Sequence, residues 1–293
     1  MHRLDENLRQ VLFIVICWVL SAVLGCSLTQ CHLVDGRAKP ALLTPGNLNQ
    51  DTLWRGVIRI QGVITVPQGV TLKLAPGTRV EFLPQDQDQD GVGDSGLYVN
   101  GRIIAQGEPN RMIEFTSGSQ SVSPSQWGTI QLEYSPGSGF KYCRFTGADW
   151  AIHAHFSDLE VEHCILERNA GGMRFRSGPV KITHNLIQRN NIGLRFRSSN
   201  PVIQYNTIRQ NHIGIFVREN SRPEISHNNL LDNTEYHIEL EETQTQDIYG
   251  PQNWWGTGDD QSIEKLIYDK QDLAGIGRVH YEPIAAGSFP AAF

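Results

Sequence analysis

One pattern recurs in the segments Glu162-His-Cys-Ile-Leu166, Thr183-His-Asn-Leu-Ile187 and Gln204-Tyr-Asn-Thr-Ile208, each 21 residues after the one before. The same frame includes Lys141-Tyr-Cys-Arg-Phe145 upstream and, after a step of 22 residues, Ser226-His-Asn-Asn-Leu230 downstream. A fixed period of this length predicts a solenoid, because one such unit cannot bury its apolar face alone and must stack on its neighbours.

The apolar residues inside each repeat alternate, which is the two-residue period of a half-buried strand. The alternating pairs are Met173 and Phe175, Leu194 and Phe196, Ile215 and Val217, and Ile238 and Leu240. Asn, Gly, Ser and Pro separate these segments and supply the chemistry of short turns. A coil of three short strands, each paired in parallel with the coil above, fits this pattern. The sequence therefore predicts an all-β protein, a single-stranded parallel β-helix of about nine coils.

Equal coil lengths place equivalent side chains one above another, about 4.8 Å apart. One such column holds the residues Cys143, Cys164, Asn185, Asn206 and Asn228. A second column holds the residues Asn169, Asn190, Asn211 and Asn233. We expect the amides to form hydrogen-bonded ladders between coils. The two cysteines are expected to be buried thiols in the same slot, with a disulfide between them left open.

The chain resembles right-handed parallel β-helix repeat proteins of bacterial envelopes over roughly residues 51–285. The likeness rests on the repeats and on three further segments, Gly62 to Gly77, Tyr98 to Gly107 and Asn253-Trp-Trp-Gly-Thr257. It implies a right-handed β-helix over residues 51–248 and a capping segment over residues 249–293, with Trp254 and Trp255 covering the last coil. It implies less about function, because this architecture hosts lyases, hydrolases, epimerases, adhesins and scaffolds.

The N-terminal segment predicts export from the cytoplasm. An apolar run from Val11 to Leu24 follows basic residues and precedes Gly25-Cys26. Val23-Leu-Gly-Cys26 is similar to a bacterial lipoprotein processing box, which implies a signal peptide over residues 1–25, a lipid on Cys26 and a tether with an N-terminal cap over residues 26–50. The resemblance implies a lipid-anchored envelope protein, at the outer membrane if the host is Gram-negative. An ordinary secretory signal or an uncleaved anchor remains the alternative.

The overall charge argues against one class of partner, the nucleic acids. The net charge is −6 and the pI is about 5.9, which argue against general nucleic-acid binding. We expect a monomer.

An acidic segment, Asp86-Gln-Asp-Gln-Asp-Gly-Val-Gly-Asp94, interrupts the strand pattern. Asp86, Asp88, Asp90 and Asp94 match positions one, three, five and nine of a calcium loop, and a glycine follows the third. Position twelve is Leu97 where an EF-hand has Glu. The segment thus predicts either a Ca²⁺ site or a solvated acidic insertion.

Stacking the repeats also predicts a basic face. The outward positions of one strand align His153, Arg174, Arg195 and Phe216 in one column and His155, Arg176, Arg197 and Arg218 in the next. Like charges about 5 Å apart repel by roughly 1 kcal/mol even in water, so such a face favours an anionic ligand. Guanidinium groups suit carboxylates and phosphates. A solvated face of stacked guanidiniums is the alternative.

Two functions follow from this face. The first is a non-catalytic envelope lipoprotein that binds or scaffolds an acidic polysaccharide or another cell-surface polymer. The second is a polysaccharide lyase or epimerase acting on uronate-containing glycans through the Arg and His side chains. The chain lacks the Gly-His-Gly and Arg-Ile-Lys motifs of β-helix pectin hydrolases and the Asp-Pro-His motif of alginate epimerases. No residue is therefore assigned a catalytic role from the sequence.

Overall fold

The computed structural model describes residues 31–290, which consist almost entirely of short strands. The first half of the chain contains β1 (His32–Leu43), β2 (Gly46–Asn47), β3 (Thr52–Ile60), β4 (Val63–Val66), β5 (Thr71–Leu74), β6 (Arg79–Phe82), β7 (Gly96–Val99), β8 (Arg102–Gln106), β9 (Ile113–Ser117), β10 (Trp127–Glu133), β11 (Ser138–Lys141), β12 (Cys143–Phe145), β13 (Ala148–His155) and β14 (Leu159–Glu162).

The second half continues in the same way and adds one short helix. It contains β15 (Ile165–Glu167), β16 (Gly171–Arg176), β17 (Val180–Thr183), β18 (Leu186–Gln188), β19 (Ile192–Arg197), β20 (Val202–Gln204), β21 (Thr207–Arg209), β22 (Ile213–Arg218), β23 (Glu224–Ser226), β24 (Asn229–Leu231), β25 (Tyr236–Leu240), β26 (Ile248–Tyr249), α1 (Asp260–Glu264), β27 (Ile267–Tyr268) and β28 (Val279–His280).

These strands form three long parallel faces around one core, which confirms the predicted single-stranded parallel β-helix. Face A is a ten-stranded sheet in the order β2-β4-β7-β10-β13-β16-β19-β22-β25-β27. Face B runs from β5 to β23 and face C from β6 to β24, and the long strand β3 joins the two. The paired strands extend from His32 in β1 to Tyr268 in β27, beyond residues 51–248.

The register in face A follows the 21-residue period. Phe175 pairs with Phe196 and Arg174 with Arg195 across β16 and β19. The inward side chains of these strands are buried in a core that runs through the stacked coils. Gly193 lies so close to the next coil that an added Cβ would be 2.5 Å from the carbonyl oxygen of Gly214, so this column accepts only glycine.

Both predicted amide ladders are present. The backbone N–H of Asn185 donates to Oδ1 of Asn206 at 2.9 Å, and that of Asn206 donates to Oδ1 of Asn228 at 2.9 Å. The ladder continues one step further than the sequence predicts, because Asn228 N–H donates to Oδ1 of Asn253 at 2.8 Å. The second column bonds in the same way from Asn169 to Asn233.

The two core cysteines extend the first ladder as thiols. The backbone N–H of Cys143 donates to Sγ of Cys164 at 3.4 Å, and the two residues form no disulfide. Burial raises the pKa of the Cys143 thiol well above its usual value. The prediction of buried thiols is therefore confirmed.

Left-handed backbone conformations turn the chain at the corners. At the corner between faces B and C, His163, His184 and Tyr205 have φ values of 50°, 56° and 57°. Their rings stack coil over coil, with centroids 5.0 Å apart for the two histidines and 5.1 Å for His184 and Tyr205. Ring stacking between neighbouring coils explains the presence of these histidines at the corner.

The C-terminal segment closes the core. Trp255 is 2% exposed and packs edge-on against Tyr281, with ring centroids 5.9 Å apart. Trp254 forms a parallel bridge with Asn229. Both tryptophans therefore contact the last coils, and their capping role stays a prediction. Within residues 31–290, no helix is long and apolar enough to cross a membrane.

Candidate functional site

The predicted basic columns lie side by side on the outer surface of face A. His153 pairs in register with Arg174, and His155 pairs with Arg176. Arg176 in turn pairs with Arg197. Together with Arg195 and Arg218 they line a shallow cleft of about 290 Å³. Parallel pairing thus gathers residues up to 65 positions apart into one surface, as the fixed period predicts.

Two of the five arginines in this cleft are neutralised by carboxylates. Arg197 forms an ion pair with Glu219 at 2.8 Å. Arg218 forms one with Glu241 at the edge of the cleft. Both acidic residues lie one coil further along the chain, so the pairs form between adjacent coils.

The other three, Arg174, Arg176 and Arg195, form no ion pair with any residue that the structure describes. Nε of Arg174 and Nε of Arg176 are buried without a hydrogen-bond acceptor. Burial lowers the pKa of Arg174 and of Arg195. The cleft therefore holds three half-buried positive charges with unused donors.

Aromatic rings position these guanidiniums. The guanidinium carbon of Arg174 lies 5.5 Å from the ring centroid of Trp150, and that of Arg176 lies 4.8 Å from Phe156. Arg195 lies 5.5 Å from the ring of Phe216. Such contacts hold a cation in place without neutralising it, so the donors stay available to a ligand.

A carboxylate and two imidazoles form a hydrogen-bonded relay at one end of the cleft. Nη2 of Arg174 lies 3.0 Å from Nδ1 of His153, whose Nε2 lies 2.8 Å from Nε2 of His155. Nδ1 of His155 lies 3.0 Å from Oε2 of Glu133. A guanidinium can only donate, so His153 carries its proton on Nε2 and donates to His155, which donates through Nδ1 to Glu133.

The surroundings of His153, the central residue of this relay, keep its imidazole uncharged. Burial, together with the charge of Arg174, lowers the pKa of His153 to about 3. Burial also lowers the pKa of His155, and Glu133 opposes that shift. In enzymes, a buried neutral imidazole can transfer protons when it is hydrogen-bonded to a second imidazole that a carboxylate orients.

Sequence reasoning missed Glu133, the residue that orients the relay. Glu133 pairs in register with His155 and Gln131 with His153, so both lie on the outer surface of face A. The spacing there is 22 residues, and the register shifts between Thr129 and Ile130. This bulge removes the fixed period, which was the signal that aligned the later columns.

The acidic segment folds as a compact loop outside the coils. The carboxylates of Asp86, Asp88 and Asp90 offer oxygens within 4.8 Å of one another. The fourth predicted ligand, Asp94, lies outside this group, and its Oδ2 accepts the N–H of Gln87 at 2.8 Å. Gly91 has a φ of +88° at the position where a calcium loop turns. Calcium binding stays a prediction.

The remaining predicted site, the lipidation of Cys26, lies outside the described residues, as does the signal peptide.

The comparisons with known proteins identify the fold. Residues 95–251 match the model of the family described as right-handed beta helix region. No curated protein matches the chain in sequence.

Solved structures show only a distant likeness. A variant of the periplasmic alginate epimerase AlgG is 13% identical over 87% of this chain and 75% of that chain, with a TM-score of 0.48. The A-module of the mannuronan C-5 epimerase AlgE4 of Azotobacter vinelandii is 10% identical over 93% of this chain and 92% of that one, with a TM-score of 0.30. These values are too low to transfer any residue's role.

Proposed function

This chain belongs to the right-handed β-helix family, and we propose that it uses the cleft on face A to bind an acidic polysaccharide. The observation that carries this proposal is the set of three half-buried guanidiniums, Arg174, Arg176 and Arg195, that form no direct ion pair with any described residue. Their neighbours Arg197 and Arg218 have carboxylate partners on the same face. Uncompensated charges at the centre of the cleft suit an anion from outside.

The electrostatics favour such an anion. The Cα atoms of Arg174 and Arg195 pair in adjacent strands, while the two guanidiniums lean apart toward Trp150 and Phe216. Burial together with the charges of Arg195 and Arg197 lowers the pKa of Arg174, so the arginines of the cleft repel one another. A bound carboxylate near them would offset this repulsion and would accept charge-assisted hydrogen bonds from the accessible donors.

The shape favours a polymer over a small anion. The cleft is open and crosses the four strands β13, β16, β19 and β22, a span of about 14 Å at the usual strand spacing. A single sugar is much shorter than this span. A chain of acidic sugars that lies across the coils can contact several guanidiniums at once, and each added contact raises the overall affinity.

The binding test compares two sets of three substitutions with the same change in charge. The site variant carries Arg174→Gln, Arg176→Gln and Arg195→Gln. The control variant carries Gln at three exposed arginines that do not line the cleft, namely Arg168, Arg189 and Arg222. We expect the site variant to lose retention in affinity electrophoresis through polygalacturonate, because charge-assisted hydrogen bonds are lost. Equal retention of both variants would refute the proposal.

A second function, proton transfer on the bound sugar, is favoured by the relay from Glu133 to His153. All four ring nitrogens of the two histidines are engaged while Arg174 bonds His153. When Arg174 turns to a ligand carboxylate, Nδ1 of His153 loses its donor and becomes a free base. The incoming negative charge also offsets the guanidinium charges that lower the pKa of His153. Anion binding would thus free Nδ1 of His153 to act as the base.

In this reaction His153 would remove the proton α to the carboxylate of a uronate. The C–H electron pair moves into an enolate that the arginines stabilise, as positioned positive charge does at developing oxyanions. As Nδ1 of His153 takes up this proton, the Nε2 proton of His153 moves to Nε2 of His155. The Nδ1 proton of His155 then moves to Glu133. The enolate then either expels the sugar oxygen at the adjacent carbon, which takes the proton returned by the relay and leaves a double bond behind, or takes that proton back itself.

Deuterium exchange tests this second function. Polygalacturonate incubated with the protein in D₂O should gain deuterium at the carbon next to the carboxylate if the enolate takes a proton back, as NMR detects, or should lose that hydrogen to an ultraviolet-absorbing double bond if the chain is cleaved. Glu133→Gln should slow the exchange by the 10²–10⁴-fold typical of general acid–base residues. Binding with neither deuterium exchange nor cleavage would leave the protein a binder only.

We also propose that the protein acts in the cell envelope, held there by a lipid on Cys26. The resemblance of Val23-Leu-Gly-Cys26 to a lipoprotein box supports this location. Cells grown with a labelled fatty acid should incorporate label into the wild-type protein and not into Cys26→Ser. Label in both proteins, or in neither, would contradict the proposal.

A further inference from the structure

A second groove, of about 460 Å³, lies at the corner between faces A and B, and we call it the corner groove. Its lining includes Gln68, Asn100, Arg102 and Tyr134. Arg102 is the one charged residue among those that line it. The corner groove therefore has a positive charge and no acidic side chain.

The charge of Arg102 has no counter-ion in the described part of the chain. Arg102 is exposed, and its Nε donates to the carbonyl oxygen of Gly137 at 2.6 Å. That acceptor is neutral, and the two Nη groups form no hydrogen bond or ion pair with any residue from 31 to 290. A guanidinium that is held through Nε in this way can still offer both Nη groups to a carboxylate.

Tyr134 adds an exposed aromatic ring to the corner groove. It is 64% exposed, and its ring stacks on that of Phe156 with centroids 4.9 Å apart. In the preceding coil, Asn100 and Gly101 bond the residues on either side of Tyr134, and neither of them has a ring that could continue the stack. An exposed ring at the end of a stack can pack against the apolar face of a sugar.

The corner groove is continuous with the basic cleft. The ring of Phe156, on which Tyr134 stacks, lies 4.8 Å from the guanidinium carbon of Arg176 in the cleft. Tyr134 also directly follows Glu133, the residue that orients His155 in the relay. Along the rod, the relay therefore lies between the arginines of the cleft and the corner groove.

The distance between the two sites exceeds the length of one sugar. Arg176 belongs to the coil of β16 and Arg102 to the coil of β7, three coil steps away, which is about 14 Å at the usual strand spacing. A ligand that contacts both residues must be an oligomer that runs along the axis of the rod. Such an oligomer passes the relay with sugar units on both sides of it.

We infer that the corner groove is a second site for an acidic sugar, in which Tyr134 stacks on the sugar ring and Arg102 binds the carboxylate. One polymer chain then occupies the corner groove and the basic cleft together. This inference rests on the proposed binding function, and it adds a second binding region and the direction of the polymer. Because linked contacts act together, a long oligomer gains affinity that a short one lacks.

The test compares a galacturonate dimer with a galacturonate decamer in calorimetric titrations at low ionic strength. The dimer is too short to reach from the cleft to the corner groove, whereas the decamer spans both. The site variants are Arg102→Gln and Tyr134→Ser. Serine suits this corner, because Ser177 and Ser198 occupy the equivalent position in later coils with φ values of 48° and 47°.

Each site variant has a matched control. Arg189→Gln removes another exposed arginine whose Nε bonds a neutral oxygen, the side-chain carbonyl of Gln210. Tyr205→Ser removes an exposed ring from a different corner, where the backbone φ is also positive. Tyr134→Phe keeps the ring and loses only the hydroxyl group.

We expect wild type to bind the decamer more tightly than the dimer. Arg102→Gln and Tyr134→Ser should each weaken decamer binding by about tenfold, the size of one charge-assisted hydrogen bond or one aromatic contact, and should leave dimer binding unaffected. The three control variants should bind both fragments as wild type does.

The outcomes separate this inference from the binding function. If Arg174→Gln weakens both fragments and neither site variant weakens the decamer, the inference is wrong and the basic cleft still binds acidic sugars. The inference is also wrong if Tyr134→Ser weakens the dimer as much as the decamer, since the ring then acts on the cleft through Phe156. If both site variants act as expected and Arg174→Gln has no effect, the role given to the arginines of the cleft is wrong. If wild type binds neither fragment, both are wrong.

Discussion

Replacing Asn206 by Ala tests whether the amide ladder holds the coils together. Oδ1 of Asn206 accepts the N–H of Asn185 at 2.9 Å, and its Nδ2 donates to the carbonyl of Ile182 at 2.8 Å. Asn206 is 1% exposed, so the backbone groups that it bonds are shielded from bulk water. Two buried backbone groups would lose a partner at about 1–3 kcal/mol each, which gives a loss of roughly 4 kcal/mol.

In a domain of this size, such a loss should lower the melting temperature by about 10 °C. Far-ultraviolet circular dichroism would follow the melt. Gln210→Ala is the control, because Gln210 is an exposed side chain of the same coil, and its melting temperature should change by no more than about 2 °C.

A second substitution at the same position sharpens the test. Cys164 occupies an equivalent slot, and its Sγ accepts the N–H of Cys143 at 3.4 Å. Asn206→Cys should therefore keep a weak acceptor for Asn185 and lower the melting temperature less than Asn206→Ala does. The reasoning is refuted if Asn206→Ala melts like Gln210→Ala, or if the Cys variant is as unstable as the Ala variant.

Three further predictions concern titratable groups and the acidic loop. The folded protein binds fewer protons than the unfolded chain below pH 6.5, because the pKa of His153 is lowered to about 3. Its melting temperature should therefore fall as the pH drops from 6.5 towards 3, and the fall should be smaller in His153→Gln; equal slopes would contradict this. Calcium added to chelator-treated protein should release heat that Asp86→Asn with Asp90→Asn abolishes, and no heat with wild type would remove the site. Burial raises the pKa of Cys143, so peptide mapping should find Cys143 and Cys164 unmodified by iodoacetamide until the protein unfolds; labelling of folded protein would argue against the buried slot.

The repeat made much of this structure accessible from sequence. Because coils of equal length stack in register, a column of letters becomes a column of side chains. The ladder residues Asn185 and Asn206 and the opposed pair Arg174 and Arg195 could be placed side by side without coordinates. Prediction failed where the period fails, as at Glu133, since a register shift precedes it.

The columns of aligned repeat residues do not predict which arginines of the cleft form an ion pair with a carboxylate. Aligning the repeats places Arg174 and Arg195 in one outward column and Arg218 in the next, and it assigns none of them a partner. Only side-chain packing shows that Arg218 reaches Glu241 and that Arg174 turns to His153 instead. The choice depends on which acidic side chain lies within a few ångströms, and residue spacing does not contain that information.

The amino-acid sequence alone determined that the chain winds into a β-helix, which residues fill its core and which face carries the arginines. These features depend on periodicity, and a period in sequence becomes a direction in space once the strands pair in parallel. The tertiary structure decided which arginines form ion pairs and that Glu133, His155 and His153 form one relay. Those features depend on contacts between irregular positions, which only the folded chain brings together.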